Sequence, residues 1–246
     1  MNPTSGNLLI AEAISKTFSD VTAVSGVSLA VCAGEVVCLL GANGAGKTTM
    51  INLFLGFLTP DAGSITAGGL DPAVAGTAVR KRIAYIPEDV ALYPELTGLE
   101  NLALFDGLVA KTRPAGYHAE MLRQAGLPLD TAGRRVSTYS KGMRQKVGLA
   151  IAFAKGADIL LLDEPLSGLD PKAANEFGSR LSELRERGCA VLMATHDIFR
   201  AKEIADRIGI MKAGRLVATL DASEVTAAEI ERLYLQHMHD AEGEAA

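Results

Sequence analysis

Short apolar runs at residues 36–40, 159–162 and 190–194 carry no polar interruption, which is the pattern of strands buried on both faces of a sheet. Between the second and third, Asp170 is a good N-cap, Pro171 fits the first helical position, and Phe177, Leu181 and Leu184 share one helical face. Such alternation of strand and helix predicts a mostly parallel α/β sheet. Residues 8–13 and 21–32 differ: Val21, Val24, Val27, Leu29 and Val31 give a half-buried rhythm that predicts a small antiparallel sheet at the N-terminal end. Short strands are expected near Ile65 and over residues 83–86, after the turn Pro60-Asp61-Ala62-Gly63.

From residue 91 to 156 the period becomes helical. Thr97 and Glu100 form a capping box ahead of Leu99, Leu102, Leu104 and Leu108, and a second helix is expected over 117–124. This stretch reads as an all-helical lobe inserted into the sheet. A final hairpin is expected through Lys212-Ala213-Gly214-Arg215, followed by an amphipathic helix over 227–238 capped by Thr226 and Glu229, then an acidic tail. The chain therefore divides as one domain: a core from 1–90 and 157–222, the lobe 91–156, and a terminal helix and tail over 223–246.

Composition agrees with this picture. A 246-residue chain with 48% hydrophobic residues can bury a large core. Its formal charge of −5 supplies no basic field for a phosphate backbone, so no nucleic-acid partner is expected. Cys32, Cys38 and Cys189 have no metal-ligand spacing and read as buried free thiols. His237 and His239, without other clustered ligands, read as a solvated end and not a metal site. No stretch reaches the ~18–20 apolar residues that cross a bilayer, and no secretory leader pattern opens the chain. Work at a membrane would then require a second chain to provide the crossing.

The chemistry concentrates at Gly41-Ala42-Asn43-Gly44-Ala45-Gly46-Lys47-Thr48-Thr49, between the first buried run and a helix carrying Met50, Ile51, Leu53, Phe54 and Leu55. This is the spacing of a phosphate-binding loop: glycines let the backbone amides turn inward, Lys47 reaches the β- and γ-phosphates, and the Thr48 hydroxyl serves Mg²⁺. ATP or GTP is the expected ligand. The run 159–162 ends in Asp163 and Glu164, which places two carboxylates at the same sheet edge, Asp163 for Mg²⁺ and Glu164 to polarise the attacking water. His196 follows the third run and projects from that edge, within reach of a γ-phosphate; alone it would read as a loop residue.

With these residues in place, Tyr139-Ser140-Lys141-Gly142-Met143-Arg144-Gln145, just upstream of Asp163, resembles the signature of the nucleotide-binding subunits of ATP-binding cassette (ABC) transporters, and residues 8–220 match that family's order of motifs. The resemblance implies a P-loop NTPase core, ATP and Mg²⁺ as ligands, and a second ABC ATPase subunit, identical or different, whose phosphate loop holds the ATP that Ser140, Lys141, Gly142 and Met143 contact. It implies that Phe18 stacks on adenine, where the residues alone also allow a core or surface aromatic. It implies that Ser167-Gly168-Leu169-Asp170 crosses the dimer interface, a role compatible with the helix cap, and that His196 acts with Glu164 and Lys47 in catalysis.

Three departures stand out. Glu88 occupies the usual place of a glutamine, where the resemblance implies a metal-site residue whose carboxylate can still approach Mg²⁺ or its water; Tyr139 and Lys141 replace Leu and Gly, and Ala42 replaces a common Pro. Glu88, Tyr139, Lys141 and Leu92-Tyr93-Pro94-Glu95-Leu96-Thr97 are similar to the ABC-2-type exporter branch, whose cassettes work with separate permease chains. The resemblance thus implies a peripheral subunit on the cytoplasmic face of the cell membrane, in contact with a membrane permease subunit. Leu92, Tyr93 and Leu96 either receive a permease helix or pack inside the lobe. A soluble ABC ATPase remodelling a macromolecular complex is the alternative. It is disfavoured because ribosome-acting relatives usually join two cassettes and DNA-repair relatives carry a long coiled coil. A regulatory cassette without turnover is disfavoured by the presence of Lys47, Asp163, Glu164 and His196.

Overall fold

The buried runs lie side by side because alternate residues can be covered from both faces at once. In the computed structural model, which describes residues 6–109 and 112–239, strands β3 (Val36–Leu40), β5 (Ile83–Ile86), β6 (Ile159–Asp163), β7 (Ala190–Thr195), β8 (Arg207–Lys212) and β9 (Arg215–Asp221) form a six-stranded sheet in the order β5-β6-β7-β3-β8-β9. All neighbours are parallel except the β8–β9 hairpin. A second, antiparallel sheet in the order β2-β1-β4 is built from β1 (Asn7–Phe18), β2 (Val21–Cys32) and β4 (Ala62–Ala67).

Strand alternation splits the core in two. Val36, Cys38, Leu40, Leu160, Leu162, Val191 and Met193 point into one cluster, while Val37, Leu39, Leu161, Leu192 and Ala194 point into the other. The first is covered by α6 (Lys141–Lys155), α7 (Pro171–Glu186), α8 (Ile198–Ile204) and α9 (Ala227–His239). The second is covered by α1 (Lys47–Phe54) and the antiparallel sheet. Between β5 and β6 in the chain lie α3 (Gly98–Gly107), α4 (Tyr117–Gln124), α5 (Leu129–Ala132) and α6, which pack on one another and share Leu102, Leu122 and Val147 with the first cluster.

The expected caps are present. Thr97 Oγ1 accepts from Glu100 N at 3.2 Å and Glu100 Oε2 from Thr97 N at 2.7 Å. Asp170 Oδ1 accepts from Ala173 N at 2.9 Å. Thr226 and Glu229 cap α9 in the same reciprocal way. The acidic tail lies outside the described residues.

Differences have local causes. The first strand runs to Phe18 instead of ending at 13: Ala13 takes φ +47° in an irregular stretch of pairing and its N–H donates to Ser28 Oγ, but pairing with β2 resumes at Ile14. Cys32, expected to be buried, is exposed at the end of β2, where its thiol donates to Asn7 Oδ1 at 2.9 Å. Cys38 and Cys189 are buried as expected. The short helices α2 (Gly76–Arg82), α5 and α8 were not apparent in the periodicity. Among the described residues no helix is long and apolar enough to cross a membrane.

Candidate functional site

The neighbours of β3 fix the site. Because β3 lies between β7 and β8, the loop leaving its carboxyl end opens beside the ends of β6 and β7, where a parallel sheet exposes its ligand crevice. Gly41 N donates to Thr195 O at 3.2 Å, which ties the loop's first residue to β7. Two glycines are there for want of space. A Cβ on Gly41 would stand 2.5 Å from Met211 O, and one on Gly46, at φ +101°, 2.3 Å from Ala23 O. Gly46 is also the N-cap of α1, whose first-turn amides have no intrahelical acceptor.

Lys47 is buried and curls back to donate to Gly41 O at 2.6 Å and Ala42 O at 3.2 Å. Its Nζ lies 3.6 Å from Glu164 Oε1, and Glu164 Oε2 lies 3.0 Å from His196 Nδ1. Glu164 itself sits at φ +46°, a conformation a glutamate adopts at a cost, and it is held there by Glu164 N donating to Ala194 O at 2.9 Å. The three side chains come from the starts of α1, of the loop after β6 and of the loop after β7, so the sheet order alone brings them together.

A cleft of about 510 Å³ collects Phe18, Ala23, residues 42–49, Glu88, Asp163 and Glu164. Burial pushes the Asp163 carboxyl above the usual range; a hydrogen bond from Thr48 opposes this, and the negative charges of Glu164 and Glu88 add to it. Glu88 is held below the usual range, chiefly by a hydrogen bond from Ser167 and also by Lys141. The cleft therefore gathers three carboxylates around one lysine, an excess of negative charge.

A hard divalent cation fits this donor set. Glu164 Oε1 is buried without a hydrogen-bond partner, and Asp163 is destabilised as a carboxylate. Among the described residues no group of three or more His, Cys, Asp or Glu side chains is near enough to hold a metal unaided. That is the situation of Mg²⁺, which takes one or two protein oxygens and completes its shell with phosphate and water. Asp163 and the Thr48 hydroxyl, hydrogen-bonded to each other, are the residues that would supply the protein oxygens to such an ion.

Most of the predicted phosphate-site residues converge in this cleft; Gly41 is buried just behind it. Phe18 lies on its rim, 43% exposed, with Lys16 Nζ 5.7 Å from its ring centre. His196 reaches the cleft through Glu164. Ser140, Lys141, Gly142 and Met143 do not line the cleft of their own chain. Ser140 is exposed and caps α6, its Oγ accepting from Met143 N at 3.3 Å. Ser167 reaches Glu88, Gly168 and Leu169 form the turn beyond it, and Asp170 caps α7. Leu92 lines a separate apolar groove of about 270 Å³ with Ile86, Val90, Phe105, Ile151 and Lys155. Tyr93 and Leu96 do not; Tyr93 is exposed with its ring centre 6.3 Å from that of Phe105.

Two contributors were not foreseen. Ala23 lines the cleft because its carbonyl abuts both Gly46 and Gly214; nothing in a lone alanine signals that. Gln145 donates to the carbonyls of Pro87 and Glu88. Its position one helical turn after Lys141 was the available signal.

The family model described as ABC transporter matches residues 24–167. The sulfate/thiosulfate import ATP-binding protein CysA 2 of Chromobacterium violaceum is 38% identical over 238 residues, covering 95% of this chain and 64% of that protein. The daunorubicin resistance ATP-binding protein DrrA3 of Streptomyces coeruleorubidus is 38% identical over 214 residues, covering 86% and 67%. The chain thus spans about two thirds of the length of these relatives. Among solved structures, the dimeric post-hydrolysis state of an ATP-binding cassette bound to ADP and Pi superposes with a TM-score of 0.77 at 28% identity, covering 87% of this chain and 98% of that one.

Proposed function

The chain belongs to the ABC transporter family, and from that premise we propose that it is an ATP-hydrolysing subunit that powers transport through a separate membrane-spanning permease, in an ABC-2-type exporter. The observation that carries the ATPase reading is Glu164, poised between Lys47 and His196 at the mouth of the phosphate loop.

In this reading the triphosphate lies along residues 41–49 with adenine on Phe18. The Lys47 ammonium turns from the carbonyls of Gly41 and Ala42 to the β- and γ-phosphates. Asp163 and the Thr48 hydroxyl, which are hydrogen-bonded to each other, would hold Mg²⁺, and the ion would supply positive charge against the phosphates. Glu164 orients a water in line with the γ-phosphorus and accepts its proton, while His196 steadies Glu164 and faces the γ-phosphate. Ser140, Lys141, Gly142 and Met143, which are not part of the lining of their own cleft, serve the nucleotide of a second ABC ATPase subunit. Residues 167–170 lie between the two sites. The apolar groove with Leu92 takes a short helix of the permease, which keeps the subunit on the cytoplasmic face of the membrane. Glu88, Tyr139 and Lys141 support the exporter branch, as does the likeness to a drug-resistance protein; the cargo is chosen by the permease.

The test is Glu164→Gln. Loss of a general base costs about 10²–10⁴-fold in turnover, while nucleotide binding survives and ATP drives two subunits together, read by light scattering. If ATP drives no association of this variant, with or without the permease, the reading fails.

A further inference from the structure

One face of α6 grips the segment that presents Glu88. Lys141, Gln145 and Gly148 stand at i, i+4 and i+7, so they share that face. Lys141 Nζ lies 3.5 Å from Glu88 Oε1 and 3.7 Å from Asp89 Oδ1. Gln145, 1% exposed, donates from Nε2 to Glu88 O at 3.0 Å and Pro87 O at 3.4 Å. At Gly148 the absence of a side chain admits Ile86 and Val90, whose methyl carbons would stand 3.4 and 3.5 Å from a Cβ there. The stem of Lys141 passes beside Gly168, 3.8 Å from where a Cβ would be. Glu88 is thus held by α6 through backbone and side chain, while its carboxylate also lines the phosphate cleft and acts on Asp163.

Resting on the reading of that cleft as an Mg²⁺–ATP site, we infer that Lys141 is an internal counter-ion that competes with the nucleotide's divalent cation for Glu88, so that loading the cleft with metal loosens the first turn of α6 from residues 86–90. A carboxylate set between an ammonium and a divalent cation cannot serve both at full strength, because the cations repel each other and each contact weakens the other. With neutral Gln at position 88 there is no shared charge and no competition. Ser140 caps the same turn, so the contact connects the chain's own metal site to the end of the helix meant for the partner's nucleotide. Gln145 keeps its carbonyl contacts throughout and serves as the pivot. Glu88 and Lys141 are half and about a quarter exposed, so solvent limits the effect to about two- to fivefold, or about 0.4–1 kcal/mol.

The experiment measures how much Mn²⁺ improves the affinity of the full chain for a fluorescent, non-hydrolysable ATP analogue, as the ratio of dissociation constants without and with the ion. Lys141→Met raises this ratio about two- to fivefold. Lys141→Gln, also neutral, does the same. Lys141→Arg restores the original ratio. In a Glu88→Gln background none of the three changes it. An unchanged ratio in both neutral variants overturns the inference, as does a rise that persists with Glu88→Gln. If the unmodified chain binds the analogue with no dependence on Mn²⁺, the Mg²⁺–ATP reading of the cleft fails instead.

Discussion

Asp106→Ala tests what holds the far end of α6 in place. Asp106, near the end of α3, has a side chain only 2% exposed. It accepts from Arg113 Nε at 2.7 Å and Arg113 Nη2 at 2.6 Å, and His118 Nε2 lies 3.0 Å away. Arg113 Nη2 and the Tyr117 hydroxyl both donate to Ala154 O, at 2.6 and 3.0 Å, which satisfies a carbonyl in the last turn of α6. The guanidinium also lies 4.4 Å from the centre of the Tyr117 ring. Removing one partner of a buried pair costs about 3–5 kcal/mol, because the other charge is left without compensation. Arg113 keeps 28% exposure and recovers some hydration, so the loss is set at about 2–3 kcal/mol. For a domain of this size that is roughly 4–12 °C in Tm.

The pH dependence separates this mechanism from simple loss of packing. The Arg113 hydrogen bond holds the Asp106 carboxyl below its usual range. A depressed carboxyl contributes stability that is fully present above its unfolded pKa and is lost as pH falls through the folded value. Urea unfolding of the two proteins should therefore differ by the full amount at pH 7 and converge under acid, below the ordinary carboxylate range. A loss under about 0.5 kcal/mol at pH 7, the usual size of an inconsequential surface change, would refute the argument. So would a difference that ignores pH.

Asp163→Asn is expected to raise the Tm of the nucleotide-free chain, since burial disfavours the wild-type carboxylate at neutral pH. With Mg²⁺ and ATP the order should reverse, because only the wild type gains full ligand-linked stabilisation; a lower Tm of the variant without nucleotide would contradict this. For the thiols, burial pushes Cys189 up to about 12 and Cys38 higher still, whereas Cys32 is exposed. A thiol-specific chromogenic reagent should modify one cysteine in the folded chain and three in denaturant, and rapid modification of two in the folded chain would show a misplaced strand.

Legibility tracked how far each signal reaches along the chain. The phosphate loop was readable because strand, glycines, lysine and helix are contiguous, and Glu164 because an apolar run placed it. Residues 36–40, without a polar interruption, show in sequence that both faces of the strand are covered, but which side chain faces which half of the core comes only from the fold. What periodicity could not carry was any contact set by a second element. Ala13 interrupts the regular pairing of the first strand without ending it, its N–H donating to Ser28 Oγ, 15 residues away, and Cys32 is turned out by where the strand ends. The grip of α6 on Glu88 is the instructive case. Lys141 and Glu88 each looked like an isolated departure, yet an added charge at one position and its opposite at the other, 53 residues apart, meet at 3.5 Å. Two substitutions that read separately as losses of a glycine and of a neutral amide are thus complementary: without Lys141, Glu88 would add a further negative charge beside a cleft already rich in carboxylates, whereas Lys141 without Glu88 would keep Asp89, 3.7 Å away.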